Sequence, residues 1–188
     1  DLGGTTIGMV YGWTAAVIDD FQDTNNTLGI QPMSDDEISW LSSSLPLSLL
    51  SIIPCGSSLC ERFGRKNVAI FTAISLIVSW LMRLFSKNFY IILAAQILSG
   101  IGDGFSALVS FLYVTEISSD AIRGQLGSLY IFCLSGGTLI LYVIAAILSY
   151  KVMTACCLIV PIIYFLGLFL LPETPIYLLR KNRPDEAK

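Results

Sequence analysis

The sequence contains no histidine, and Asp, Glu, Lys and Arg together make up only 13% of its 188 residues. Without an imidazole, histidine metal sites and histidine switches near neutral pH are excluded. Soluble domains are roughly a quarter charged, and disordered chains combine low hydrophobicity with high net charge. This chain is 54% hydrophobic with a net charge of −3, and it has no concentrated basic face. The composition therefore indicates a lipid bilayer as the environment and excludes nucleic acid as an expected partner.

Charges are absent from long stretches of the chain. Five stretches carry no charged residue, and a sixth, 88–115, carries only Asp103. A helix that crosses a bilayer needs about 20 mostly apolar residues. The third stretch, 67–82, reaches that length only if Arg83 extends its guanidinium to the membrane surface. The predicted spans are 2–18, 38–60, 67–85, 88–115, 124–150 and 152–172. Because the runs do not alternate in polarity as barrel strands do, the predicted fold class is an all-α polytopic membrane protein, a bundle of six transmembrane helices.

The Lys and Arg residues are unevenly divided between the two ends of these spans. Eight lie on one side, in the 2–3 loop, the 4–5 loop and the tail, and three lie on the other. Cytoplasmic loops are enriched in Lys and Arg, so the side with eight is predicted to be cytoplasmic, together with both ends of this segment. The 1–2 loop, 19–37, is then external, and it is acidic. It contains Asn25-Asn26-Thr27, an acceptor triplet that makes Asn25 a candidate glycosylation site.

Local signals predict how consecutive spans are connected. The 2–3 loop of about six residues and the short 5–6 connection at Tyr150-Lys151 predict antiparallel neighbours that lie side by side. Ser34 and Glu37 have the spacing of a capping box at the start of the second helix. Gly64 would permit a tight reversal after it. The five cysteines are odd in number and lie within spans, which favours buried thiols over a disulfide framework.

Three motifs occupy predicted cytoplasmic helix ends. They are GSSLCERFGRK at 56–66, YVTE at 113–116 followed by Arg123-Gly124, and PETPIYLL at 172–179. In this order and at these positions, the set resembles the sugar porter family of the major facilitator superfamily. The resemblance covers the whole chain and implies that it corresponds to the N-terminal half of a twelve-helix fold.

Two further patterns refine the resemblance. Gly12-Trp13-Thr14 in the first span and RGQLGS at 123–128 most resemble insect facilitated trehalose and hexose transporters. The family fold implies a missing C-terminal six-helix half as a partner, with 173–188 as the start of the central cytoplasmic loop.

The resemblance also implies a gate. In the family, the cytoplasmic motifs form a salt-bridge cluster that holds the two halves together while the binding site faces outward. Ion pairs that are partly dehydrated at a bilayer edge are stronger than exposed pairs, and they can break when a bundle rocks. The matching residues here are Glu61, Arg62, Arg65, Lys66, Glu116, Arg123 and Glu173.

Several positions depart from the family pattern. Members usually carry Asp where Glu61 stands and Arg where Gln96 and Ile176 stand. Many hexose carriers place a sugar-binding Gln at the position of Ile131. Proton-coupled members typically carry Asp at the position of Thr14, so facilitated diffusion is favoured over proton symport.

A substrate site in this superfamily would lie near the bilayer midplane between the halves. Polar side chains of the fifth span recur there on one face, although each could instead bond to a carbonyl of its own helix. Asp103 lies roughly 21 Å along the fourth span. A carboxylate at the bilayer centre costs at least about 2.5–3.5 kcal/mol, so Asp103 should face water, a partner or substrate. The candidate binding residues are Trp13, Thr14, Asp103, Ser128, Ile131, Ser135, Thr138 and Tyr142.

The resemblance implies a plasma-membrane carrier that moves a small-molecule sugar, trehalose or a hexose, by facilitated diffusion through alternating access. Two alternatives stay open: a proton-coupled carrier of sugar or organic solute, and a non-transporting sensor or truncated half carrier. Catalytic residues, a metal site and a cofactor are not expected, because the chain carries no G-x-S-x-G, H-E-x-x-H or phosphate-binding loop pattern. A channel is not expected either, because no filter-like loop interrupts the spans.

Overall fold

Six α-helices make up the computed structural model, which describes residues 2–22, 32–117 and 120–169. Within these residues no strand is present, so the predicted all-α class is confirmed. In chain order the helices are α1 (Leu2–Gln22), α2 (Asp35–Phe63), α3 (Arg65–Phe85), α4 (Phe89–Ile117), α5 (Asp120–Ile147) and α6 (Tyr150–Leu168).

The start of α2 is a capping box, as its sequence predicts. The Ser34 backbone N–H donates to Glu37 Oε2 at 2.9 Å, and the Glu37 N–H donates to Ser34 Oγ at 3.3 Å. These bonds satisfy two donors that the first turn of a helix leaves free. Farther along, α2 bends by 57° between Ile52 and Pro54. Proline removes a helix hydrogen bond and clashes with the preceding turn, which explains the bend.

The turn between α2 and α3 is a single residue, Gly64, rather than a loop of about six residues. Its φ of 90° and ψ of 153° are open to glycine and strained for other residues. The Gly64 N–H still donates to Cys60 O, so the helical bonding of α2 continues into the turn. The charged residues on both sides therefore lie in helices. The 5–6 connection differs similarly, because Tyr150 and Lys151 open α6 and Ser149 is its N-cap.

Most of the helices are long and apolar enough to cross a bilayer. Four of them meet this test alone, α3 to α6, and the bent α2 makes a fifth if its two segments form one span. In α1, Leu2–Ile18 is a shorter apolar helix. Large apolar side chains such as Phe111, Phe132 and Ile147 are exposed on the outside of the bundle. Apolar surface of this extent is typical of lipid-facing helices, and the chain is a multi-pass membrane protein.

Among helices that are consecutive in the chain, α3 and α4 pack extensively, whereas α2–α3 and α5–α6 do not. The major contacts join α1 to α5, α4 to both α2 and α3, and α3 to α6, while α2–α3 and α5–α6 barely touch. The expectation that α2 lies alongside α3 and α5 alongside α6 is therefore wrong. Glycines decide the pairing: a Cβ at Gly8 would collide with the Leu134 carbonyl, and one at Gly137 with the Thr5 carbonyl. Such small residues allow two backbones to approach closely, here α1 and α5.

Two apolar clusters form the interior. One contains Trp13 of α1, Trp80 of α3 and Cys157 of α6. The other, near the α2–α3 turn, contains Cys60 and Phe105. None of the five cysteines forms a disulfide in the described residues; Cys60 and Cys157 are buried, Cys133 and Cys156 are partly buried, and Cys55 is exposed.

Candidate functional site

An arginine is enclosed within the first apolar cluster. The Arg83 side chain is 0% exposed, and its guanidinium carbon lies 4.5 Å from the ring centroid of Trp13 and 4.8 Å from that of Trp80. Its Nη2 donates to Gln96 Oε1 at 2.6 Å and to Ser99 Oγ at 2.8 Å. The expectation that Arg83 reaches the membrane surface is therefore wrong. Two indole faces and two oxygen acceptors replace the water that the cation loses.

Gln96 connects this arginine to the first helix. Its Nε2 donates to Thr14 Oγ1 at 2.7 Å, while its Oε1 accepts from Arg83. Thr14 and Gln96 are two positions at which the resemblance described above implies charged residues in related carriers. The structure brings these two departures together as a neutral hydrogen bond. The positive charge beside them comes from Arg83 of α3.

The same network includes a second residue of α3 and reaches one more helix, α6. Ser99 Oγ lies 2.9 Å from Ser79 Oγ of α3, and the Tyr150 hydroxyl of α6 donates to the Arg83 carbonyl at 3.1 Å. Arg83 Nε and Nη1 have no hydrogen-bond partner among the described residues. We call Thr14, Gln96, Arg83, Ser99 and Ser79 the arginine network. The sequence did not predict this network, because the two rings that enclose Arg83, Trp13 and Trp80, belong to different helices.

Asp103 is the buried acid of the bundle interior. It is 4% exposed, and its Oδ2 accepts a hydrogen bond of 2.9 Å from the Tyr11 hydroxyl, which joins α4 to α1. The carboxylate thus has a protein partner, Tyr11, that was not predicted from the sequence. A signal was present, because Tyr11 lies one helical turn before Thr14, and residues three apart share a helix face.

The polar stripe of α5 divides between residues bonded to helix carbonyls and residues whose side chains are exposed. Ser128 Oγ bonds to Gly124 O at 3.0 Å, and Thr138 Oγ1 bonds to Leu134 O at 3.2 Å and to Gly8 O of α1 at 2.9 Å. The remaining members are exposed: Ile131, Ser135 and Tyr142. Trp13, by contrast, is fully buried behind Arg83. The hydrogen bonds of the stripe therefore run to backbone rather than to Asp103.

Part of the predicted gate lies at the α2–α3 turn. Arg65 is buried and its Nη1 donates to Cys60 O at 3.4 Å, whereas Arg62 stacks 5.8 Å from the Phe63 ring centroid. Glu61 is exposed and Lys66 is half-buried, so this turn gathers one acid and three bases.

Four further predicted residues lie outside the described part of the chain, in whole or in their side chains: Asn25, Glu116, Arg123 and Glu173.

A groove of ≈ 440 Å³ opens between α2, α3 and α4 near this turn. Its walls are apolar apart from Asn67, and they include Leu59, Phe71 and Ile101. A sugar needs several hydrogen-bonding groups, so this groove is a poor sugar site. In the residues that the structure describes, no group of three or more Cys, Asp or Glu side chains could hold a metal ion.

Comparison with known proteins places the chain among transporters. The family described as "Sugar (and other) transporter" matches residues 4–188. Facilitated trehalose transporters of Polypedilum vanderplanki and Anopheles gambiae are 28% and 29% identical over 100% of this chain. The chain spans only 37% and 23% of the lengths of those two relatives.

Solved structures show the fold. A proton:xylose symporter, XylE, bound to 6-bromo-6-deoxy-D-glucose matches 99% of this chain with a TM-score of 0.79 at 22% identity, and the match covers 47% of that chain. The partially occluded inward-open form of the Escherichia coli (E. coli) xylose transporter also matches with a TM-score of 0.79, at 21% identity, over 51% of its length. The six helices thus have the fold of about half of a major facilitator transporter, as predicted. Since the family match extends over almost the whole sequence, the chain belongs to the sugar (and other) transporter family.

Proposed function

We propose that this chain is the N-terminal half of a membrane carrier that moves a sugar, trehalose or a hexose, by alternating access. The observation that carries the proposal is that all of this chain matches relatives named as facilitated trehalose transporters. The missing partner is a C-terminal six-helix half, since the chain covers about half of the structures it resembles. The carrier performs no enzymatic reaction and uses no cofactor.

Facilitated diffusion is the proposed mode. The neutral Gln96–Thr14 hydrogen bond supports it, because neither side chain exchanges a proton near neutral pH. One observation favours proton coupling as the second candidate: Asp103 is an acid buried in a membrane bundle, and such residues often serve as proton relays.

The proposed carrier lies in the plasma membrane with both ends of this segment cytoplasmic. Residues 173–188 begin the central loop, and Asn25 is a glycosylation site in the external 1–2 loop. The gate comprises the residues at the α2–α3 turn together with Glu116, Arg123 and Glu173. Buried Arg65, bonded to the end of α2, supports this role because it fixes the geometry of the turn.

The proposed substrate wall comprises side chains of α1, α4 and α5. Thr14 and Asp103 contribute from the interior, and Trp13 acts from behind Arg83 by fixing its position. The α5 contribution comes from Ser128, Ile131, Ser135, Thr138 and Tyr142.

The test is uptake of radiolabelled trehalose and glucose by the full-length protein in a host that lacks sugar carriers. Saturable uptake that a protonophore does not reduce is the expected result. Uptake that collapses with the proton gradient would establish the symport alternative. Absence of saturable sugar flux in well-expressed, correctly targeted protein would refute the carrier proposal and leave the sensor alternative.

The gate has its own test. Arg65→Ala should slow exchange and shift the carrier away from its outward-facing state, measured by labelling of an external reporter cysteine. Lys87→Ala is the matched control, because Lys87 is an exposed base at the opposite end of α3. Equal labelling rates in Arg65→Ala and the parent would contradict the role of Arg65.

A further inference from the structure

One face of α4 is polar although it is buried. Gln96, Ser99, Asp103 and Ser106 recur at steps of three and four residues, which places them on one side of the helix, and all are buried. Gln96 and Ser99 belong to the arginine network. Asp103 does not, since its hydrogen-bond donor is Tyr11.

The carboxylate of Asp103 accepts fewer hydrogen bonds than its oxygens can accept. Its two oxygens offer about four acceptor positions. Among the described residues one donor, the Tyr11 hydroxyl, bonds to Oδ2. Arg83, a buried base of α3, bonds to Gln96 and Ser99 instead. A buried carboxylate with a single neutral donor is strongly disfavoured unless another group supplies further hydrogen bonds.

Two tyrosines lie near this carboxylate, and a third lies near one of them. Tyr11 of α1 bonds to it directly, and Tyr130 of α5 lies close enough to interact electrostatically with both Asp103 and Tyr11. Tyr164 of α6 interacts with Tyr130 in turn. Phenol hydroxyls both donate and accept hydrogen bonds, as sugar hydroxyls do, and the ring faces can cover the apolar C–H face of a sugar.

Tyr11 gives this cluster access from outside. Its side chain is 40% exposed, whereas Asp103 behind it is 4% exposed. An arriving ligand therefore meets the phenol first and reaches the carboxylate by displacing or sharing its hydroxyl.

We infer that Asp103 and Tyr11 form a paired site for two neighbouring hydroxyl groups of a neutral carbohydrate, and this inference rests on the proposed function. One ligand hydroxyl donates to Asp103, and the Tyr11 hydroxyl turns from the carboxylate to the neighbouring ligand oxygen. When the site is empty, the Tyr11–Asp103 hydrogen bond keeps both side chains in position. When ligand binds, this bond is replaced by one hydrogen bond from each residue to the ligand. Proton uptake by Asp103 and capture of an organic ammonium between the aromatic rings are the competing chemistries.

The experiment is equilibrium binding of labelled trehalose, glucose and choline to the purified full-length carrier. Asp103→Asn should weaken binding of the preferred sugar about tenfold or more, because a charge-assisted acceptor is lost. Tyr11→Phe should weaken it several-fold. Tyr90→Phe is the control, since Tyr90 is 75% exposed at the start of α4 and should bind sugar as the parent does.

Deoxy-sugar analogues make the test specific to hydrogen bonding. In the parent, removing the hydroxyl that Asp103 binds should weaken affinity about tenfold. In Asp103→Asn the same analogue and the intact sugar should bind within about twofold of each other. If Asp103→Asn does not fold, Tyr11→Phe with analogues lacking the neighbouring hydroxyl provides the same comparison.

Unchanged sugar affinity and unchanged analogue discrimination in Asp103→Asn would overturn the inference while leaving the carrier function intact. Competition between choline and sugar at the site would also overturn the inference. So would an Asp103→Asn variant that loses only acid-stimulated uptake. If the parent neither binds nor transports a sugar, the proposed function fails and the inference fails with it.

Discussion

The side-chain amide of Gln96 donates a 2.7 Å hydrogen bond to the Thr14 hydroxyl and so joins α4 to α1 inside the bundle. The other end of the same amide accepts from Arg83. A neutral amide with a donor at one end and an acceptor at the other is thus placed between a hydroxyl and a cation, and it satisfies both.

Loss of the Thr14 hydroxyl should show how much this bond contributes. Thr14→Val leaves the buried Gln96 Nε2 without its acceptor, and we expect the free energy of unfolding to fall by about 1–3 kcal/mol. Thr14→Ser keeps the hydroxyl and should stay within about 1 kcal/mol of the parent. Thermal unfolding of the full-length protein in detergent measures both, and equal shifts for Val and Ser would contradict the role of the hydroxyl.

Arg83 should matter more for stability than any exposed base. Arg83→Ala removes two hydrogen bonds and a side chain packed between two indole rings, which should lower the free energy of unfolding by about 3–5 kcal/mol. Arg83→Lys keeps the charge but loses the planar stack, so its loss should be intermediate. Lys87→Ala is the control, because Lys87 is exposed two residues beyond α3. A parent-like unfolding midpoint for Arg83→Ala would refute this prediction.

Two adjacent glycines of α5 provide a matched pair for the α1–α5 contact. A Cβ at Gly137 would collide with the Thr5 carbonyl, whereas one at Gly136 meets no atom within 4 Å. Gly137→Ala should therefore destabilise the protein by about 1–3 kcal/mol. Gly136→Ala should leave stability unchanged or raise it by up to about 1 kcal/mol, because alanine favours the helix. The measurement is the unfolding midpoint in detergent, and the prediction is wrong if the two variants behave alike.

Gly64 should tolerate no side chain. Its φ of 90° with ψ of 153° belongs to a region that is open essentially to glycine alone, so Gly64→Ala should cost about 1–3 kcal/mol. Gly64→Asn should not rescue the protein, since asparagine favours left-handed helical values of ψ instead. Gly127→Ala is the control, with open space around its Cβ. Surface expression and uptake rate report the effect, and normal values for both Gly64 variants would exclude a strained turn.

Much of the fold can be predicted from the sequence because a lipid bilayer offers no hydrogen bonds to the backbone. Uncharged runs of the required length must be helical so that their backbone groups are satisfied internally. The capping box at Ser34 and the reversal at Gly64 are local, so residue types a few positions apart were enough to predict them. The predicted packing of α2 alongside α3 and of α5 alongside α6 was wrong because a turn fixes only where two helices meet. Which faces then touch depends on glycines as distant as Gly8 and Gly137.

The interior of the site was less predictable. Arg83 has an apolar stem that could equally reach the membrane surface, and only the fold places the Trp13 ring of α1 over its guanidinium. Tyr11 was missed for the same reason, since its partner Asp103 is distant in the chain. The unusual acid itself was recognisable from sequence, because a charge in a long apolar run requires a partner.

The pairing of α1 with α5 also sets an order on biogenesis. A ribosome releases α1 long before the glycine face of α5 has been synthesised, since synthesis proceeds from the N-terminus. The first helix must therefore wait in the membrane with its Gly8 surface uncovered until Gly137 arrives. The α1–α5 contact can therefore form only after four further helices have been synthesised, and a factor that covers small-residue faces during insertion would act longest on α1.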